Sequence, residues 1–234
     1  MLDQAFDALK TFDWGKDRNQ LNPIDDAVIA AHGDPAARKD LETKLAAVLK
    51  TDVPRDAKDY VCRKLMIIGT AESVPTLAAL LTDKDLSHMS RFALERIPAP
   101  EAAAAMRDAL PKVNGALKVG VLSSLGVRRD TASVPAMAAL LGDADAAVAS
   151  AAAHALGDVR NAEAAKALSD AKPSAPAVKQ AVTDASLSCA EALLAEGKKA
   201  EAIAIYKSYV GEGQPKHVRL AATRGMLAGA GKKE

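Results

Sequence analysis

The chain has 234 residues, of which 49% are hydrophobic and 26% charged, and this balance is typical of a folded domain rather than a disordered one. Only 3% are aromatic, and a core of alanine, leucine and valine favours closely packed helices, so we predict an all-α fold. The formal net charge of +1 argues against nucleic acid as the default partner, because binding to phosphates normally shows as a basic excess.

The first 34 residues contain three of the aromatic side chains, Phe6, Phe12 and Trp14, and do not match the repeat that follows. We predict that residues 1–34 form an N-terminal helical cap, since the open end of a repeat array needs a sealed core. The alternative is that the three aromatic residues form an exposed cluster that docks another domain or chain.

An internal repeat dominates residues 35–234. The segments 73–81 and 133–141 are near copies, sixty residues apart, which is twice a period of about thirty. The second helix of each unit aligns on an apolar residue at spacings of 26, 31, 31, 30 and 40. Residues at offsets 0, 3, 4, 7 and 8 from it are apolar or small, as in a helix that packs on one side. The six aligned residues are Tyr60, Leu86, Leu117, Val148, Val178 and Val218.

Helix boundaries are predicted from glycine and from capping residues. Gly69, Gly126 and Gly157 each follow an apolar residue at a predicted helix end, where we expect a left-handed residue to terminate the helix. Prolines stand where first turns are expected. Four polar residues near those turns are candidate N-caps: Asn22, Asp34, Ser73 and Ser133.

The second-helix pattern resembles bacterial HEAT repeats of the short, PBS-lyase type. Residues 218–222, Val-Arg-Leu-Ala-Ala, match the start of that helix, and residues 155–157, Ala-Leu-Gly, match its end. The resemblance covers about residues 35 to 230 and implies a right-handed α-solenoid of about six helical hairpins. Residues 193–206 instead resemble a tetratricopeptide turn, which accounts for the last, longer spacing.

We find no pattern that predicts catalysis. The four histidines, His32, His88, His154 and His217, have no metal-ligand spacing and are expected to be structural or solvated. Cys62 and Cys189 are expected to be free buried thiols. No nucleophile elbow, phosphate-binding loop or dinucleotide fingerprint is present. We therefore expect a chain that is not an enzyme and has no cofactor and no metal.

The favoured function is a protein–protein interaction scaffold, since a stack of hairpins is expected to offer an extended curved surface without pockets. Two alternatives come from resemblance to other helical-repeat proteins: a bilin-lyase-like chaperone or enzyme subunit, and a HEAT-like DNA glycosylase. The second suits this chain less well, because Trp14 is its sole tryptophan.

Basic residues on or after consecutive second helices are the candidate binding surface for an acidic partner. The other interpretation is a structural ladder, in which each base pairs with an acid of a neighbouring turn, such as Asp83, Asp85, Asp143 or Asp145. The candidates are Arg91, Arg96, Lys118, Arg128, Arg129 and Arg160.

No apolar run is long enough for a membrane span, and we expect a monomer that neither inserts into membranes nor binds nucleic acid. A soluble cytoplasmic protein is the default. The sequence is equally compatible with an exported protein whose signal peptide has been removed.

Overall fold

The computed structural model of the protein describes residues 1–231. Within that range every regular element is helical, with fourteen α-helices and six short 3-10 turns, so the all-α prediction is confirmed. The last three residues of the predicted array, 232–234, lie outside the described residues. The helices are α1 (Leu2–Ala8), α2 (Asn22–Ala30), α3 (Pro35–Leu49), α4 (Arg55–Ile68), α5 (Val74–Ala78), α6 (Ser87–Arg96), α7 (Pro100–Ala109), α8 (Gly115–Val127), α9 (Val134–Ala139), α10 (Ala146–Val159), α11 (Ala162–Asp170), α12 (Pro176–Ala195), α13 (Lys199–Lys207) and α14 (Lys216–Gly229).

The chain forms two compact units, Met1–Ser124 and Leu125–Glu234. In the first unit α3, α5 and α7 pack side by side in one layer, and α4 packs against α6 in a second layer. In the second unit α9 packs on α11, α10 packs on α12, and α13 and α14 continue from α12. Each unit is therefore built from paired helices in two layers, the arrangement that the repeat predicts.

The predicted register of the second helices agrees with burial at four of the six aligned residues, and Leu86 and Leu117 are half-buried. Tyr60, Val148, Val178 and Val218 are all buried, at no more than 3% exposure. The residues eight positions further on are buried as well in α4, α6, α8, α10 and α12. They are Ile68, Leu94, Leu125, Leu156 and Ser186.

The first aromatic residues pack on α4 in the first unit. Phe12 is fully buried, and its ring makes edge contacts with Trp14 at 5.3 Å and with Tyr60 at 6.0 Å between centroids. The Trp14 indole N–H donates to Asp59 at 3.2 Å, although 44% of the Trp14 side chain stays exposed. This packing supports the cap interpretation for Phe12, and the predicted boundary at residue 34 lies inside the first unit.

Three of the four predicted N-caps stand at N-cap positions, but only one of them makes a side-chain cap: Ser73 and Ser133 precede α5 and α9 without a capping hydrogen bond. Asp34 does cap α3, accepting from the backbone N–H groups of Ala36 and Ala37. Asn22 is already the first residue of α2. Ser73 and Ser133 direct their hydroxyls to carboxylates, those of Glu42 and Asp130, instead of to backbone N–H groups.

Candidate functional site

The six predicted basic residues fall into two groups in the structure. Arg96, Arg129 and Arg160 are exposed, and Arg91, Lys118 and Arg128 are half-buried. A surface that meets a partner needs accessible charge, so the first group is the one that qualifies. Arg129 and Arg160 both belong to the second unit.

Arg91 is turned inward and does not belong to an exposed patch. Its guanidinium donates to the carbonyl of Gly120 at 2.9 Å and to the hydroxyl of Ser124 at 3.0 Å. A β-carbon on Gly120 would lie 2.5 Å from the guanidinium carbon, so the glycine makes room for this contact. Burial lowers the pKa of Arg91, and the charge of Glu95 opposes that shift. Arg91 therefore joins α6 to α8 inside the first unit.

The acids expected to pair with the bases bind backbone N–H groups. Asp83 accepts from the N–H groups of Asp85 and Leu86 at 2.8 and 3.0 Å. Asp143 accepts from the N–H of Asp145 at 2.9 Å, and Asp145 in turn caps α10 through Ala147. The contacts of Asp83, Asp143 and Asp145 fix the turns between paired helices.

Of the three glycines expected to terminate helices, Gly69 is the C-cap of α4, in extended rather than left-handed backbone, and the other two have a different role. Gly126 and Gly157 lie inside α8 and α10, and neither has a positive φ. A β-carbon on Gly157 would lie 2.8 Å from both Cα and Cβ of Ala185, and one on Gly126 would lie 3.0 Å from Cα of Ala155. The glycines permit neighbouring second helices to approach closely, and the prediction of left-handed residues at these positions is wrong.

The left-handed residues are arginines, three positions further on. Arg129 and Arg160 have φ of 51° and 57° and are the two non-glycine residues with positive φ between residues 1 and 231. After α8 the N–H of Asp130 bonds the carbonyl of Leu125, and that of Arg129 bonds the carbonyl of Gly126. This pair of bonds is a Schellman motif, with an arginine where glycine is usual.

The next turn repeats this geometry one repeat later. The N–H of Arg160 bonds the carbonyl of Leu156 at 3.1 Å, the single bond of the αL motif. Its side-chain Nε donates to the carbonyl of Gly157 at 3.1 Å, and Arg160 as a residue is exposed. Arg129 and Arg160 are therefore equivalent positions of successive repeats.

A left-handed turn of the same type follows α12 and has glycine at its left-handed position. After α12 the N–H of Lys198 bonds the carbonyl of Leu193, the N–H of Gly197 bonds that of Leu194, and Gly197 has a φ of 80°. A left-handed conformation costs a residue with a β-carbon about 1–2 kcal/mol. A cation at a helix C-terminus recovers about 0.3–1 kcal/mol. The two arginines are therefore retained at a net cost that Gly197 avoids.

The exterior of the second unit has an open groove that the sequence did not predict. An open cavity of about 750 Å³ lies between α9, α11 and the turns that precede α10 and α12. Its walls include Ala138, Leu141 and Val178, and Lys166 and Asp170 at its rim form an ion pair of 2.7 Å. Because charges of both signs line it, the cavity selects no ligand by charge.

The residues with the potential for other chemistry are placed as structural residues. All four histidines are exposed. Both cysteines are free and buried, and burial raises the pKa of the Cys62 thiol to about 12 and that of Cys189 to about 11. Across residues 1–231 no group of three His, Cys, Asp or Glu side chains is arranged to hold a metal ion. In the same range, none of the helices combines the length and apolarity that a bilayer span requires.

Two polar networks in the first unit were not predicted. Glu42 is buried and accepts hydrogen bonds from the N–H and hydroxyl of Thr70 and from the hydroxyl of Ser73. Asp25 accepts from the Tyr60 hydroxyl at 2.8 Å and pairs with Lys64. Glu42 lies on the apolar face of α3. An acidic residue at a position expected to be in the core is the sequence feature from which this network could have been predicted.

The family model described as HEAT repeats matches residues 105–186. The matched stretch contains the turns of both left-handed arginines and the close contact between α10 and α12. No curated protein matches the chain at a significant level. The all-helical pairing in each unit and this match agree: residues 105–186 match HEAT repeats, and the fold is all-helical and consistent with an α-solenoid.

Proposed function

We propose that the protein is a non-catalytic, monomeric protein–protein interaction scaffold, with repeats of the short PBS-lyase type. HEAT repeats generally serve as interaction scaffolds, because stacked helical pairs present an extended surface to a partner. The single observation that carries the proposal is the pair of exposed arginines, Arg129 and Arg160, held at equivalent positions of successive repeats. Arg96 adds a third exposed base to the candidate surface in the first unit.

The alternatives, a bilin-lyase-like subunit and a HEAT-like DNA glycosylase, rest on resemblance alone. The scaffold proposal has a positive feature to support it, namely accessible charge at repeated positions. Arg91 is excluded from the proposed surface, since its guanidinium is engaged by Gly120 and Ser124.

The test has two steps. The immobilised chain is used to capture proteins from a lysate of the source organism, and each candidate is then purified and titrated against the chain by calorimetry. A stoichiometric complex in solution supports the scaffold. Purified candidates that all fail to bind, or a chain that turns over a bilin or excises a base from DNA, would contradict it.

A further inference from the structure

The geometry of two successive turns in the second unit points to a recognition site. We infer that Arg129 and Arg160 together bind two carboxylates of an extended acidic segment in the partner protein. This inference rests on the proposed scaffold function and names the chemistry of its partner.

The backbone at both positions favours glycine over arginine. Both residues are left-handed, at φ of 51° and 57°, where a β-carbon is crowded by the neighbouring carbonyl. The same turn after α12 is made by Gly197, so this chain forms it without an arginine. Strain that is retained at equivalent places indicates a function for the side chains that bear it.

Both guanidiniums have donors available for a ligand. Arg160 spends Nε on the carbonyl of Gly157, and a guanidinium carries five N–H donors in all. Both side chains are exposed, and within residues 1–231 neither forms an ion pair in the structure.

The separation of the two arginines suits an extended peptide. A β-carbon on Gly126 would lie 3.0 Å from Cα of Ala155, so α8 and α10, the helices that precede Arg129 and Arg160, are in close contact. Closely packed helices lie about 8–10 Å apart. Alternate residues of an extended chain are about 7 Å apart on one face. The long side chains make up the difference between this distance and the spacing of the two helices. An acidic residue at every second position is therefore the pattern that the two guanidiniums fit.

Carboxylate is the ligand group that the site favours over phosphate on a nucleic acid. A planar guanidinium forms bidentate bonds with a carboxylate and with a phosphate alike, so the charge of the whole chain has to separate the two. A nucleic acid needs many cations in a row, whereas the chain as a whole carries a net charge of +1.

The experiment uses a fluorescein-labelled peptide with glutamate at alternate positions and serine between them, and measures its anisotropy on titration with the full chain. The variants are Arg129→Gly, Arg160→Gly and the double variant, because glycine removes the guanidinium and suits the backbone. Arg224→Ala is the matched control, an exposed arginine on α14 of the same unit. Each single variant is expected to weaken binding about tenfold. Their Tm is expected to be unchanged or to rise by about 2–4 °C, and the control is expected to bind like the parent.

Three results would overturn the inference. The first is equal peptide affinity in the double variant and the parent. The second is a lower Tm in the glycine variants, which would make the arginines structural caps. The third is a single-stranded oligonucleotide that binds while the glutamate peptide does not.

A further variant tests the shape of the guanidinium. Arg160→Lys keeps the charge without the planar fork and is expected to recover part of the affinity that Arg160→Gly loses. If a captured partner binds the double variant as tightly as the parent, the protein is a scaffold but Arg129 and Arg160 are not its binding site.

Discussion

Single buried polar residues hold the turns of the first unit, and Glu42 is the one with the largest expected effect. Its carboxyl group is 2% exposed and accepts from the N–H of Thr70 at 2.7 Å and from the hydroxyls of Thr70 and Ser73. These contacts connect α3 to the turn that begins α5. Glu42 therefore fixes the junction between two successive first helices.

We predict that Glu42→Ala destabilises the protein by about 2–3 kcal/mol, because it leaves buried donors without an acceptor. The measurement is the free energy of unfolding from urea denaturation. Glu72→Ala is the control: Glu72 is exposed and pairs with Lys39 at the surface, so we expect a loss below about 1 kcal/mol. Equal losses in the two variants would show that the buried contacts contribute little.

Asp25 makes stability depend on acid pH. Burial acts to raise its pKa, but hydrogen bonds from Lys64 and Tyr60, with the charges of Lys64 and Arg18, outweigh burial and hold the pKa below its ordinary value of 3.8. The folded state therefore binds this proton less readily than the unfolded state does. The resulting stability is present above pH 3.8 and is lost as the pH falls through the lower, folded value.

We predict that Asp25→Asn destabilises the protein at pH 7 by about 1–3 kcal/mol, since Lys64 and Tyr60 lose their charged acceptor. The difference from the parent shrinks as the pH falls below 3.8, where the parent carboxylate is itself protonated. Urea unfolding at several pH values measures this. Asp26→Asn, an exposed neighbour, is expected to have a small effect at pH 7. A difference that stays constant with pH would rule out the linkage.

At the scale of helices, small residues set the distances. α10 has nine buried residues among its fourteen, five of them alanine, and meets α12 through Gly157 against Ala185. Alanine and glycine on facing helices allow the backbones to come close, which the low aromatic content suggests. The distance between neighbouring second helices is therefore determined by the small size of the residues that face each other.

We predict that Gly157→Ala destabilises the second unit by about 1–3 kcal/mol, because the new methyl group would lie 2.8 Å from Ala185 on α12. The gain in helix propensity, about 1 kcal/mol, does not offset a severe overlap with backbone. Thermal unfolding by circular dichroism measures the change. Gly142→Ala is the control, since its β-carbon would meet nothing within 4 Å. A Gly157→Ala variant at least as stable as the parent would mean that α10 and α12 separate at no cost.

The second helices could be predicted because their pattern is local. Apolar residues at offsets 0 and 8 mark one face of one helix, and five of the six residues at offset 8 are indeed buried. The conformation of the turns was harder to predict from the sequence. Gly126 looks like a helix terminator, but the helix continues to Val127 and the left-handed residue is Arg129. Glu42 bonds partners 28 and 31 residues away, and one-dimensional spacing does not show such a pairing.

At the scale of the whole molecule the charges nearly cancel, with 31 basic and 30 acidic side chains. Long-range attraction of a charged partner is then weak, so recognition depends on local groups such as the paired arginines of the second unit. The same balance removes self-repulsion as a factor in stability. What remains is the coupling between neighbouring helices, which in repeat proteins acts over short range.

The last prediction concerns how unfolding spreads along the chain. Trp14 reports on the first unit alone, because it is the single tryptophan and its ring contacts Phe12 and its indole bonds Asp59 there. Far-ultraviolet circular dichroism reports on helices in both units. Since each repeat is stabilised mainly by its neighbours, Gly157→Ala should lower the urea midpoint seen by circular dichroism more than the midpoint seen by tryptophan fluorescence.

In the parent we expect the two midpoints to lie closer together than in the variant, and Gly142→Ala should behave as the parent does. Equal shifts of both probes in Gly157→Ala would show that the chain unfolds as one cooperative body, because damage at α10 would then be felt in full at Trp14. Different shifts of the two midpoints would show that the weakest coupling lies between Trp14 and α10. Partner binding at Arg129 and Arg160 could then stabilise the second unit without a matching change in the first.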